Sequence, residues 1–211
     1  MKTPVDNANL NQWLTQHKIW LTEQINHLSE TSKGKQFSIM DAALSDCHFC
    51  EVDFSCAVLV RCTISNAHFE NCDFSNTLLI DTVFNHCDFN HCNFTKADLQ
   101  RASGSGCRFV MVNFTRADLT DCNLNSANLT DCHFDWAWLV RTDLRYAILN
   151  GTRFFETRIA NAKFYNKNYS QLFKALAQAM IEEMVFSPKG FKSKVESLAT
   201  DTLANYKTSY T

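Results

Sequence analysis

Residues 84–99 read Phe84-Asn85-His86-Cys87-Asp88-Phe89-Asn90-His91-Cys92-Asn93-Phe94-Thr95-Lys96-Ala97-Asp98-Leu99. Phe84, Phe89, Phe94 and Leu99 recur every fifth residue, and Cys87, Cys92 and Ala97 each stand two places before the next of them. Outward from this stretch the same phase runs unbroken from Ile39 to Phe164. It holds 26 frame positions, and only Gly104 is not Leu, Phe or Ile. A companion column two places earlier carries small or medium residues such as Ala42, Cys47, Val52, Ala57 and Cys62, and Phe37 is its one large member. A period of five matches neither a helix nor a two-residue strand alternation. A repeat this short, sustained this long, means a solenoid.

Within each pentad the large residue and the small one two before it share a side of the chain. The other three positions are mostly Asp, Asn, Ser, Thr, Arg and His, and face water. A turn after each pentad makes it one side of a coil. Segments such as Cys92-Asn93-Phe94, Ala97-Asp98-Leu99, Ala117-Asp118-Leu119 and Ala127-Asn128-Leu129 resemble the pentapeptide-repeat proteins. That resemblance implies a β-solenoid, a right-handed quadrilateral β-helix with four pentads per coil. At about 4.8 Å per coil, six and a half coils make a rod about 31 Å long. The expected organisation is an N-terminal amphipathic helix and linker over 1–36, the β-helix over 37–164, and a C-terminal helical hairpin cap over 165–211.

The flanks have helical spacing. Leu10, Trp13, Leu14, Trp20, Leu21, Ile25 and Leu28 approximate one stripe, with Asp6 as N-cap, Val5 and Leu10 as staple, and Lys33-Gly34-Lys35 as stop. After Phe164 the period vanishes. A helix is expected from Ser170 to about Phe186, then a turn at Ser187-Pro188-Lys189-Gly190 and a second amphipathic segment. The hairpin is expected to cap the last coil. The flanks are also candidate contacts for a homodimer or a partner.

No run of about 18 apolar residues exists, so no membrane span or membrane partner is expected. The N-terminus lacks a signal-peptide core, and the expected compartment is the cytoplasm. Eight of the ten cysteines occupy the small column, where they act as compact hydrophobes and are expected to remain reduced.

His86-Cys87-Asp88-Phe89-Asn90-His91-Cys92 looks like a zinc motif. The repeat phase points both cysteines into the core and both histidines outward at corners, so four ligands cannot converge. His48, Cys50, His68 and Glu70 share one side in neighbouring coils, but a solvated polar face explains them more simply. No metal site and no cofactor are expected. Outward residues on flat sides diverge, and no nucleophile motif or Gly-rich phosphate loop appears, so no catalytic residues are assigned. Arginines lie on all four sides rather than along a stripe, which argues against direct nucleic-acid binding.

Charge is polarised. Residues 37–100 hold nine acids against Arg61 and Lys96, whereas residues 101–164 hold eight bases against six acids. One side carries the outward apolar residues Met40, Val58, Val60, Leu78 and Ile80, then a polar stretch, then Trp138 and Val140. Such a stripe needs a cover. The N-terminal helix, about as long as the rod, is expected to supply it. Gly104, a missing large side chain, is expected to kink the rod; a pocket, or a neighbouring aromatic filling the gap, are the other outcomes.

Two functions are compatible with these features. Well-understood bacterial members of the resembled family mimic B-form DNA, bind DNA gyrase or topoisomerase IV, and protect against quinolones or peptide toxins. The resemblance therefore implies a non-enzymatic protein-binding rod with Glu51, Asp53, Glu70, Asp73 and Asp88 as phosphate mimics. The alternative is an interaction scaffold that uses the apolar stripe and the helical flanks.

Overall fold

The protein is represented by a computed structural model that describes residues 2–5, 7–25, 34–165, 176 and 179–186. The pentads close into a β-solenoid of about six turns. Residues twenty apart stack in parallel: His48, His68, Asp88 and Arg108 form one register column. Ser38, Val58, Leu78, Asp98, Asp118, Trp138 and Arg158 form another. Four pentads therefore make one coil, and the backbone hydrogen bonds run along the rod.

The inward pattern follows the frame. Every large frame residue from Ile39 to Phe164 is buried, the most exposed being Phe49 at 7%. The small column is buried too, apart from the half-buried Val52. Phe54, Phe74, Phe94, Phe114, Phe134 and Phe154 stack ring on ring, with centroids 4.7–5.2 Å apart. This matches the coil spacing, so each ring lies on the one below at an attractive aromatic distance.

The polar members of the small column have a second role. Thr77 Oγ1 donates to the Phe54 carbonyl at 2.8 Å, and Thr142 Oγ1 to the Leu119 carbonyl at 2.8 Å. Cys87, Cys92, Cys107 and Cys132 make the same link from Sγ to Ile64, Phe69, Phe84 and Phe109. Cysteine and threonine are thus small enough for the column and carry a donor for a buried carbonyl oxygen.

Corners recur with the same period. From Asp41 to Asn161 every fifth residue has positive φ, and only Gly106 and Gly151 of these lack a side chain. Left-handed backbone costs a side-chain-bearing residue about 1–2 kcal/mol. Most corner N–H groups meet a carbonyl of the next coil, as Arg61 N does Ile80 O at 2.9 Å, and that ladder offsets the strain.

Gly104 does not kink the rod. Its N–H donates to Asn123 O at 2.9 Å, and Ser103 keeps its register between Val83 and Asn123. A Cβ at Gly104 would lie 2.9 Å from Cε2 and Cζ of Phe109. The Phe109 ring leans into the space that the missing side chain leaves.

The N-terminal helix α1, Asn7–Ile25, caps the first coil instead of covering the stripe. Just before it, the strand β1, Thr3–Pro4, pairs with Ala42 and Ala43. Leu10 and His17 of α1 are buried, and Leu14 packs on the core. The Trp13 and His17 rings each lie 6.3 Å from Phe37, which in turn lies 5.9 Å from Phe54. Phe37 is large because it closes the open end, where no coil below limits its size. Lys35 N–H donates to Gln16 O at 3.2 Å, and a Cβ on Gly34 would stand 2.2 Å from the Trp20 nitrogen. Glycine allows that return of the chain across α1. The proposed cap Asp6, and 26–33 with Leu28 and Lys33, lie outside the described residues.

The other end also departs from expectation. Met180–Phe186 is a strand, not the end of a helix, and pairs in parallel with Arg158–Phe164. The last coil offers unpaired N–H and C=O groups, and an Ile- and Val-containing segment satisfies them. The remainder of the expected hairpin lies outside the described residues. No helix among the described residues is long and apolar enough to cross a membrane.

Candidate partner-binding surfaces

The acidic residues assigned from sequence occupy two adjacent faces and the corner between them. Asp53 and Asp73 stack in one register column. Each carboxylate accepts the N–H two residues on, from Ser55 at 2.8 Å and Ser75 at 2.7 Å, which fixes its orientation. Glu51 and Glu70 are exposed beside them, joined through Glu51 N–H to Glu70 O at 2.9 Å. No ion pair neutralises these four among the described residues. Asp88 differs: Arg108 of the next coil donates to both its oxygens, at 2.8 and 2.9 Å. It is not a free phosphate mimic, because the basic half of the rod reaches back and covers it.

His48 and His68 stack with ring centroids 6.0 Å apart, and Cys50 registers with Glu70. Among the described residues no three His, Cys, Asp or Glu side chains are grouped to hold a metal ion.

One feature escaped the sorting of arginines by side. Corner positions 41, 61, 81, 101, 121 and 141 alternate Asp, Arg, Asp, Arg, Asp, Arg. Arg61 meets Asp41 at 2.8 and 2.6 Å, Arg101 meets Asp81 at 2.7 and 2.8 Å, and Arg141 meets Asp121 with its Nε at 2.6 Å. Hydrogen bonding from each guanidinium holds the Asp41, Asp81 and Asp121 carboxyls below the usual carboxylate range. Reading every twentieth residue along one corner reveals this ladder.

The ladder borders the apolar face. Met40 is 55% exposed, Leu78 39% and Trp138 51%, while Val58, Val60, Ile80 and Val140 are half-buried. Asp98 and Asp118 sit between the two apolar patches in the same register column. Asp118 accepts from Gln100 Nε2 at 3.0 Å and Thr120 N–H at 2.9 Å. Burial holds the Asp98 carboxyl above the usual range; the N–H of Gln100 opposes this and the like charge of Asp118 adds to it. Beyond them, Arg158 lies 5.9 Å from the Trp138 ring and Arg116 lies 5.7 Å from the Trp136 ring. Both tryptophans, with Arg116, Ala117 and Asp118, line an open cleft of about 410 Å3.

A family model described as pentapeptide repeats, in eight copies, matches residues 41–71, 72–109 and 105–135. Residues 41–135 thus belong to the pentapeptide-repeat family. Solved pentapeptide-repeat structures are similar to the chain at low identity. HetL, a pentapeptide repeat protein involved in heterocyst differentiation regulation from the cyanobacterium Nostoc, is 22% identical over 67% of each chain, with a TM-score of 0.38. QnrB1, a plasmid-mediated fluoroquinolone resistance protein, is 18% identical over 79% of this chain and 87% of its own, with a TM-score of 0.41. A pentapeptide repeat protein of the Arabidopsis thaliana thylakoid lumen is 16% identical over 61% and 76%, with a TM-score of 0.31. No curated protein matches the chain.

Proposed function

We propose that this pentapeptide-repeat protein is a non-enzymatic protein-binding rod whose acidic half substitutes for DNA on gyrase or topoisomerase IV. The observation that carries this reading is the cluster Glu51, Asp53, Glu70 and Asp73, which spans two adjoining faces with no neutralising base among the described residues. Residues 37–100 carry a net charge of −7, from nine acids and two bases. Arg101 and Arg108 neutralise Asp81 and Asp88 from outside that stretch, which leaves about −5. Spread over about 15 Å of rod, this is one charge per ~3 Å, against one per ~1.7 Å in B-form DNA. The acidic half thus carries a little over half the duplex charge density, and rigid coils hold its carboxylates at fixed spacing. Ten thiols, eight inside the core, support a reducing cytoplasmic setting.

The test is gyrase supercoiling and quinolone-dependent cleavage, titrated with the full chain at several salt concentrations. Inhibition or protection should weaken as salt rises. Reversing Glu51, Asp53, Glu70 and Asp73 to Lys should abolish it. Equal activity in that variant would remove the DNA-mimic reading.

A further inference from the structure

Among the described residues nothing covers the face that begins at Met40 and ends at Val140, because α1 is occupied at the end of the rod. Its backbone offers nothing to a partner. Leu59 N donates to Leu78 O, Leu79 N to Asp98 O, Leu99 N to Asp118 O, and Leu119 N to Trp138 O. With every coil bonded to the next, strand addition is closed and recognition must use side chains. A three-residue face is about 10 Å wide, close to the diameter of an α-helix. Five coils, about 24 Å, match about 16 helical residues.

The pattern on the face is apolar, acidic, apolar. Val58, Val60, Leu78 and Ile80 form the first patch, Asp98 and Asp118 the middle, and Trp138 with Val140 the second patch. No base among the described residues forms an ion pair with Asp98 or Asp118. Arg101, the nearest corner base, is held by Asp81. A second copy of this chain fits poorly. A parallel face-to-face dimer sets Asp98 against Asp98. An antiparallel one centred on the face presses Asp98 on Leu78 and Asp118 on Val58, which buries unpaired carboxylates.

We infer that this face docks an amphipathic helix of another protein, with apolar residues at both ends and a Lys or Arg at its middle. The spacing can be stated. From the first apolar patch to the acidic pair is about two coils, or about 7 helical residues; to Trp138 it is about three and a half coils, or about 11 residues. Positions i, i+7 and i+11 lie on one side of a helix, so a single face carries all three contacts. Trp138 is the anchor, since exposed tryptophan dominates docking energetics, and its cleft with Trp136 receives the distal apolar residue. The paired carboxylates select the central cation. The Asp–Arg ladder, already internally neutralised, forms a rim that neither attracts nor repels. This inference rests on the protein-binding reading but uses a different face from the proposed topoisomerase surface.

The test uses labelled 16-residue helical peptides, each with Leu at i and i+11 and either Lys, Gln or Glu at i+7, titrated into the full chain by fluorescence anisotropy. The Lys peptide should bind at least about tenfold more tightly than the Glu peptide. Asp98→Asn with Asp118→Asn should erase that preference. Leu78→Ser and Trp138→Ser, both at exposed positions, should weaken all three peptides while circular dichroism shows the fold intact. Reversing Glu51, Asp53, Glu70 and Asp73 to Lys should leave peptide binding unchanged, which separates this face from the gyrase assay. Affinity independent of the i+7 residue, binding lost in the acidic reversal alone, or no binding of any peptide at about 1 mM would overturn the inference.

Discussion

His17 Nδ1 accepts the backbone N–H of Phe37 at 3.0 Å, and the same ring bonds the Ser55 carbonyl through Nε2 at 3.0 Å. One fully buried imidazole thereby ties the capping helix to the first coil. The tautomer follows from its partners: Nδ1 is bare and Nε2 carries the proton.

This arrangement makes the cap sensitive to acid. Burial pushes the His17 pKa below its ordinary 6.5, although the Ser55 carbonyl and nearby Asp53 oppose the shift. A folded-state pKa below the unfolded one gives stability that is complete above about pH 6.5 and lost as pH falls toward the folded value. Protonation would also set two donors, Nδ1–H and the Phe37 N–H, against each other. The melting temperature and Trp fluorescence should therefore indicate a looser cap at about pH 5.5 than at about pH 7.5. His17→Gln should flatten that dependence. An identical pH profile in wild type and variant would count against the tether.

Phe89 is fully buried between Phe69 and Phe109, with centroids at 4.6 and 4.9 Å. Phe89→Asp should cost several kcal/mol, about 3–5, and unfold the middle of the rod. A soluble variant with unchanged melting would refute the inward register.

Gly104→Ala should destabilise by about 1–3 kcal/mol, because its Cβ meets the Phe109 ring. Phe109→Leu should be costly alone yet should lessen the cost of Gly104→Ala. The measurement is a double-mutant cycle in urea; strict additivity would show that the two positions do not share the space.

The corner ladder predicts a salt effect. Exchanging one rung, Asp81→Arg with Arg101→Asp, keeps the pair but sets like charges against Arg61 and Asp121. Melting should fall by a few degrees at low salt and recover as salt rises. No change at low salt would mean that the rungs act independently.

Thiol reactivity should divide by burial. Cys50 is exposed and Cys56 half-buried, whereas the other eight are buried. Burial pushes Cys122 and Cys132 up to about 12, which suppresses the reactive thiolate. In native protein only Cys50 and Cys56 should react with a thiol reagent, and all ten should do so after denaturation. Rapid native labelling of Cys122 or Cys132 would show that the core opens.

The sequence by itself determined the coil. Its period of five assigns the two inward columns between Phe37 and Phe164, since one inward-facing large side chain per side fills so narrow a core. Outward residues could be sorted by face for the same reason, and the exposed Met40–Val140 stripe was legible in that sorting. At the ends the N-terminal helix was legible, but neither its packing nor the C-terminal strand was, because nothing periodic governs them. Only the tertiary structure decided that α1 closes the first coil through His17 and Phe37, and that Met180–Phe186 pairs as a strand. At an open coil the unsatisfied backbone and exposed rings outweigh a weak amphipathic pattern. Contacts twenty residues apart also had to be seen: Arg108 on Asp88 removed one expected phosphate mimic, and Phe109 took the space Gly104 left. A repeat dictates which residues stack, but charge pairing and ring placement depend on how long side chains reach across the step between coils.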